Sequence, residues 1–206
     1  MEEKGDTTAT SSGRTDDGGS KWGSRNKRLV KKKMTLMHLL KVICSSQQTC
    51  IEWLKSKCLI PKVMFCPNCS HRMKFEAEES ALDGFVWICK DCKVNPPQCS
   101  TRHGSWLEDK DLSLVDILLF TYLWCHGFNE ARIRKETNLE PEIIRQWNQM
   151  YIEICEAIQK KDAMLEENSI DENVMKTNSQ SSVSAWRKKN KLKDSFLEFL
   201  KEADSL

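Results

Sequence analysis

Cys66-Pro-Asn-Cys69 and Cys89-Lys-Asp-Cys92 are the residues whose type and spacing speak most directly of chemistry. Two intervening residues let one tight turn present both sulfurs of a pair to the same ion. The arm between the pairs is long enough for a β-hairpin and falls in the range of four-cysteine ribbons. Zn–S bonds of about 2.3 Å in a tetrahedron leave no position open for water or substrate. The expectation is one structural Zn2+ held by Cys66, Cys69, Cys89 and Cys92, which argues against metal catalysis. Cys99 and His71 lie nearby and could replace a ligand, though neither has partner spacing. Cys44, Cys50, Cys58, Cys125 and Cys155 fall in helical patterns and read as small buried hydrophobes.

Ten cysteines could instead form disulfides. The polar N-terminus has no apolar stretch of signal-peptide type, and no apolar run is long enough to span a membrane. Both point to a reducing intracellular compartment, where paired cysteines are more often ligands than disulfides. Other chemistry is weakly signalled. His38, His71, His103 and His126 show no paired spacing with a nucleophile, and no Gly-rich phosphate loop occurs. Neither an enzyme nor a small-molecule substrate is expected.

The elements that must position the thiolates follow from caps and periodicity. Met37, Leu40 and Cys44 lie at helical spacing, and Ser45 with Gln48 resembles a capping box opening a second helix with a stripe of Ile51, Leu54 and Cys58. Residues 62–66, 72–77 and 84–88 are short β candidates around the knuckles, with Asp83-Gly84 as a turn and Pro96-Pro97 as a break. Ser113 and Asp116 form another capping box before a helix that is apolar almost all round through Trp124 and ends at Gly127. Asn129 caps a short helix over 130–137, Asn138 ends it, and Pro141 starts a longer one. Ile144, Trp147, Tyr151, Ile154 and Ile158 on that helix face the core.

A short helix, a tight turn and a longer helix suggest helix-turn-helix geometry. Away from the apolar seam lie Glu142, Arg145, Gln146, Asn148 and Gln149, and Arg, Asn and Gln side chains can read base edges in a major groove. Arg132, Arg134 and Lys135 on the preceding helix could hold phosphates. A plain three-helix bundle with an ordinary polar face explains the same pattern.

The net charge of +2 is unevenly spread. Residues 21–33 hold seven bases and no acid, whereas residues 34–162 hold sixteen bases against seventeen acids. Arg25-Asn-Lys-Arg28 with Lys31-Lys-Lys33 reads as a nuclear-import or phosphate-binding run, or as a solvated arm. The fold class expected is α+β, in five segments. These are a disordered basic arm over 1–33, a helical pair over 34–60, a four-cysteine zinc ribbon of short antiparallel strands over 61–106, a helix-turn-helix-like helical domain over 107–162, and a mostly disordered tail over 163–206. The tail is loose from about Ala163 to Ser184, and Phe196, Leu197, Phe199 and Leu200 mark a possible short C-terminal helix.

The order Cys66-Pro-Asn-Cys69, Met73, Asp83-Gly84, Trp87-Ile-Cys89-Lys-Asp-Cys92, then Ser100-Thr-Arg102-His-Gly104-Ser105-Trp106, resembles the N-terminal region of Merlin-type transposases and their insertion-sequence relatives. The helix ending Trp124-Cys-His-Gly127 and the segment 129–151 match the same layout, so the resemblance covers roughly residues 34–160. It implies a ribbon and helices that precede an RNase-H-like catalytic domain. In a DNA-binding reading Arg102 touches phosphates, and His103 is a backbone or phosphate contact rather than a general base. The chain ends where that catalytic domain should begin. Asp162, Glu166, Glu167, Asp171 and Glu172 have no apolar strands to hold them at the spacing two metal ions require. The expected function is therefore a transposase-derived, non-catalytic zinc protein that binds duplex DNA, nuclear if its source is eukaryotic. A zinc-ribbon module for protein partners, or a decayed transposon remnant, are the alternatives.

Overall fold

The computed structural model describes residues 33–166, 179–190 and 194–205. Apart from Lys33, the expected basic arm lies outside these residues, as does the segment carrying Glu167, Asp171 and Glu172.

Thr35 caps α1 (Leu36–His38), and the chain continues into a π-helical turn, Leu39–Ile43, in which the Cys44 N–H donates to Leu39 O at 2.7 Å. The wider turn brings Leu39 and Ile43 onto the buried side. The stripe expected at Met37, Leu40 and Cys44 is thus not the core face, and Met37 is 57% exposed. Ser46, rather than Ser45, caps α2 (Gln47–Ser56) by accepting from the Thr49 N–H at 3.1 Å. Ser45 closes the previous turn instead, donating to Val42 O. Ile51 and Leu54 are buried as expected, but Cys58 lies beyond the helix end at φ +61° and is exposed.

The sheet is antiparallel in the order β1 (Lys74–Ala77), β2 (Phe85–Ile88), β3 (Gln98–Ser100). Phe75 pairs with Trp87, and Trp87 with Cys99 across the next ladder. The expected strand over 62–66 is reduced to a single bridge, Phe65 with Arg72. The third strand was not expected. Pro96-Pro97 does not end the sheet, because Pro97 O accepts from the Cys89 N–H at 3.1 Å and β3 starts at the next residue.

Ser113 accepts from the Asp116 N–H and donates to its carboxylate, opening α3 (Leu114–Cys125). This helix is the hub of the core. Around it pack α4 (Glu130–Thr137), α5 (Pro141–Glu166), α6 (Ser179–Lys189) and α7 (Ser195–Asp204). Phe120 and Trp124 meet Tyr151 edge-on at 5.4 and 5.2 Å, while Phe199 lies 4.6 Å from Tyr151 and 5.4 Å from Trp186. Thr121 Oγ1 and Tyr151 Oη share a buried hydrogen bond of 2.6 Å. Cys155, rather than Ile154, completes the α5 seam with Ile144, Trp147, Tyr151 and Ile158.

The tail departs from expectation. Ala163–Glu166 belongs to the end of α5 and Ser179–Ser184 to the start of α6. Phe196, Phe199, Leu200 and Ala203 of α7 are all buried. Trp186 Nε1 donates to Glu202 at 2.5 Å, and Asp194, the cap of α7, accepts from the Met34 N–H at 2.6 Å. Residues of the expected helical pair, the central helices and the tail therefore share one apolar cluster, and a second, smaller one surrounds the cysteine pairs. No helix among the described residues is long and apolar enough to cross a membrane.

Candidate metal centre and exposed helical face

The first knuckle closes by two backbone bonds, Ser70 N to Cys66 O at 2.9 Å and Cys66 N to His71 O at 2.8 Å. Ser70 takes φ +58°, a left-handed turn position where glycine is usually favoured. β1 and β2 then carry the chain to Cys89, and the Pro97 contact above fixes the second knuckle against β3. His71 Nδ1 and Asp91 Oδ2 sit 3.1 Å apart, tying one knuckle to the other, and Lys90 pairs with Glu76 of β1 at 2.6 Å.

This brings Cys66, Cys69, Cys89 and Cys92 together, with all four sulfurs within 4.8 Å of one another. Cys66 and Cys92 Sγ are 3.8 Å apart and Cys69 and Cys89 Sγ 3.5 Å. Two vertices of a tetrahedron with 2.3 Å bonds are separated by about 3.8 Å, so these gaps fit one central ion and are far too long for disulfides. Among the described residues, these four are the one group placed so that it could hold a metal ion. His71 is engaged with Asp91, and Cys99 packs beside the cluster without joining it.

Crowding of the four sulfurs sets their protonation apart. The Cys69 side chain, burial and the remaining sulfurs push the Cys92 thiol up to about 12. Burial raises Cys66 too, yet the backbone N–H groups of Cys69 and Asn68 and its thiol neighbours outweigh that and hold it at about 7. A divalent ion at the centre relieves the mutual repulsion of the thiolates and displaces the remaining protons. The donor set suits a tetrahedral, thiophilic metal, and with four protein ligands no coordination position remains for a reacting group.

Arg102 contradicts its expected role. It is 1% exposed, and its Nε and Nη2 donate to both Asp83 carboxylate oxygens at 2.6 and 2.5 Å. Nη2 also reaches Leu112 O at 2.7 Å, and Nη1 reaches Lys110 O at 2.9 Å. A guanidinium so enclosed cannot meet a phosphate. It clasps the sheet to the start of α3, where Asp83 also accepts from the Leu114 N–H at 3.4 Å. A second tie joins α2 to the sheet: Lys55 Nζ lies 3.2 Å from the Phe75 ring centre and 4.5 Å from that of Trp87. Sequence reasoning missed both ties, since neither partner is near in sequence. His103 is accessible, but its Nδ1 pairs with Glu108 at 2.5 Å.

The remaining candidates are exposed on two neighbouring helices. Arg132, Arg134 and Lys135 are exposed on α4, the first of these stacked over Phe128 at 4.5 Å. Arg145, Gln146 and Gln149 are exposed on α5 and line a shallow groove with Glu142, Met150 and Glu153. Asn148 does not join them. It accepts from Trp124 Nε1 and donates to Glu130, both at 2.8 Å, so it locks α3, α4 and α5 together from behind. Asp162 is paired with Lys189. No family model, no curated protein and no solved structure matches the chain.

Proposed function

We propose that the chain is a zinc-stabilised DNA-binding protein of transposase descent, acting by binding rather than catalysis. The observation that carries this reading is the α4–α5 pair. A short helix, the three residues Asn138–Glu140 with Asn138 left-handed at φ 56°, and a long helix form a braced helix-turn-helix whose outer stripe of Arg145, Gln146 and Gln149 is exposed among the described residues. Its first two turns are where such a helix contacts base edges. Arg132, Arg134 and Lys135 stand on the adjoining helix, suited to phosphates. Zinc is the ion proposed for the four-thiolate site, where its role is to fold the ribbon that Arg102 and Lys55 anchor to the helices. The resemblance to Merlin-type transposases supports the same role.

The test is a salt titration of the zinc-loaded full chain on duplex DNA. Binding through several phosphates weakens linearly on a log–log scale, with a slope of roughly −0.9 per phosphate neutralised. Absence of retention at low salt would sink the proposal. A second reading, a docking module for a protein partner, draws on Phe65 and Val94, apolar side chains left exposed beside the two knuckles. A partner held at high salt by a chain without DNA affinity would select it.

A further inference from the structure

We infer that Glu142 and Arg145 together give α5 a preference for a step containing a guanine and a neighbouring cytosine, an inference that rests on the DNA-binding reading above. Glu142, Arg145, Gln146, Gln149 and Glu153 fall at i, i+3, i+4, i+7 and i+11, which at 100° per residue is a single arc. The buried residues Ile144, Trp147, Tyr151, Cys155 and Ile158 occupy the opposite arc, so no rotation of the helix hides the polar stripe without exposing the core.

Within that stripe the charges are organised rather than scattered. Glu142 Oε2 meets Arg145 Nη2 at 2.7 Å, and Glu142 Oε1 accepts from Gln146 Nε2 at 3.4 Å. One carboxylate thus orients both neighbouring side chains. Further along, Glu153 accepts from Gln149 Nε2 at 3.0 Å. The Glu142 and Arg145 side chains are 60% and 62% exposed, and an open pair of this kind is held weakly enough to exchange its partners for base edges.

The chemistry of the exchange is specific. Arginine's forked N–H groups match the O6 and N7 acceptors of guanine, and a carboxylate accepts from the cytosine N4 amine. A carboxylate facing a groove lined by phosphates is repelled unless it finds a base donor, so Glu142 also rejects sites that lack one. Residues three apart on a helix are separated by about 4.5 Å along its axis, close to the 3.4 Å between successive bases. The two groups therefore reach neighbouring base pairs.

The experiment is selection of the zinc-loaded full chain on a randomised duplex at low salt, repeated with Arg145→Ala and Glu142→Gln. Wild type should enrich sites with adjacent guanine and cytosine. Arg145→Ala should flatten the guanine preference by roughly ten-fold or more. Glu142→Gln should lose the cytosine preference while keeping the guanine, with both variants melting as wild type does. Duplex binding with no enriched sequence, or an enriched sequence that both variants retain, overturns this inference and leaves DNA binding standing. No duplex retained at all removes both.

Discussion

At the scale of single residues, Arg102 and Cys89 hold the ribbon in different ways. Arg102 is a buried cation whose hydrogen bonds are taken up by Asp83 and two backbone carbonyls. Removing one partner of such a pair leaves an uncompensated buried charge and costs about 3–5 kcal/mol, whereas replacing both by apolar groups is often neutral. Arg102→Met should therefore lower the denaturant midpoint sharply, and the double variant Arg102→Met with Asp83→Leu should recover most of the loss. If Arg102 instead served DNA, the double variant would regain stability but not binding, a split that a salt titration resolves. Cys89→Ser removes one of the four thiols proposed to hold the metal. Structural zinc contributes about 10–16 kcal/mol in finger-like peptides, so this variant should lose metal and the spectral dispersion of the sheet. Elemental analysis beside an amide spectrum checks it, and full metal stoichiometry with native dispersion would refute the ligand assignment.

At the scale of elements, helix ends were legible because their signals are local. Ser113 with Asp116, Asn129, Asn138 and Pro141 cap or start helices within four residues of themselves, and α3, α4 and the start of α5 lie where those residues predict. The cysteine pairs were legible for the same reason. What was not legible depends on distant partners or backbone geometry: the π turn that rotates Leu39 and Ile43 inward, the three-residue β3, and the 19-residue separation of Asp83 from Arg102. Asn148 shows the limit well. Its position on α5 matches a base-reading residue, yet Trp124 and Glu130 claim its amide. On α4, Lys135 is exposed and suited to a phosphate, so Lys135→Ala should weaken binding about equally across DNA sequences and reduce the salt slope by about 1. A change in sequence preference instead would place Lys135 at the bases.

At the scale of the whole molecule, the segment read as a loose tail proves to be part of the core. Phe199 touches Trp124 at 5.3 Å as well as Tyr151 and Trp186, and these rings join α3, α5, α6 and α7. Truncating a buried phenylalanine to alanine costs about 3–5 kcal/mol. Phe199→Ala should accordingly lower the thermal midpoint of the whole helical body while leaving the metal bound, because the cysteine pairs have their own apolar cluster. Calorimetry with metal analysis separates the two, and an unchanged midpoint would mean that α7 is dispensable. The amphipathic pattern of Phe196, Leu197, Phe199 and Leu200 was visible in the chain, but its destination was not, since its partners include rings as distant in sequence as Trp124 and Trp53.

The hydrogen bond from Met34 to Asp194 joins positions 160 apart in sequence. During synthesis, both cysteine knuckles emerge and can gather their four thiols long before α7 leaves the ribosome. The helical body must wait, its aromatic rings open to chaperones until the final helix arrives to plug them. A message cut short ahead of that helix would yield a product with a finished ribbon and an unsealed interior, a natural target for degradation.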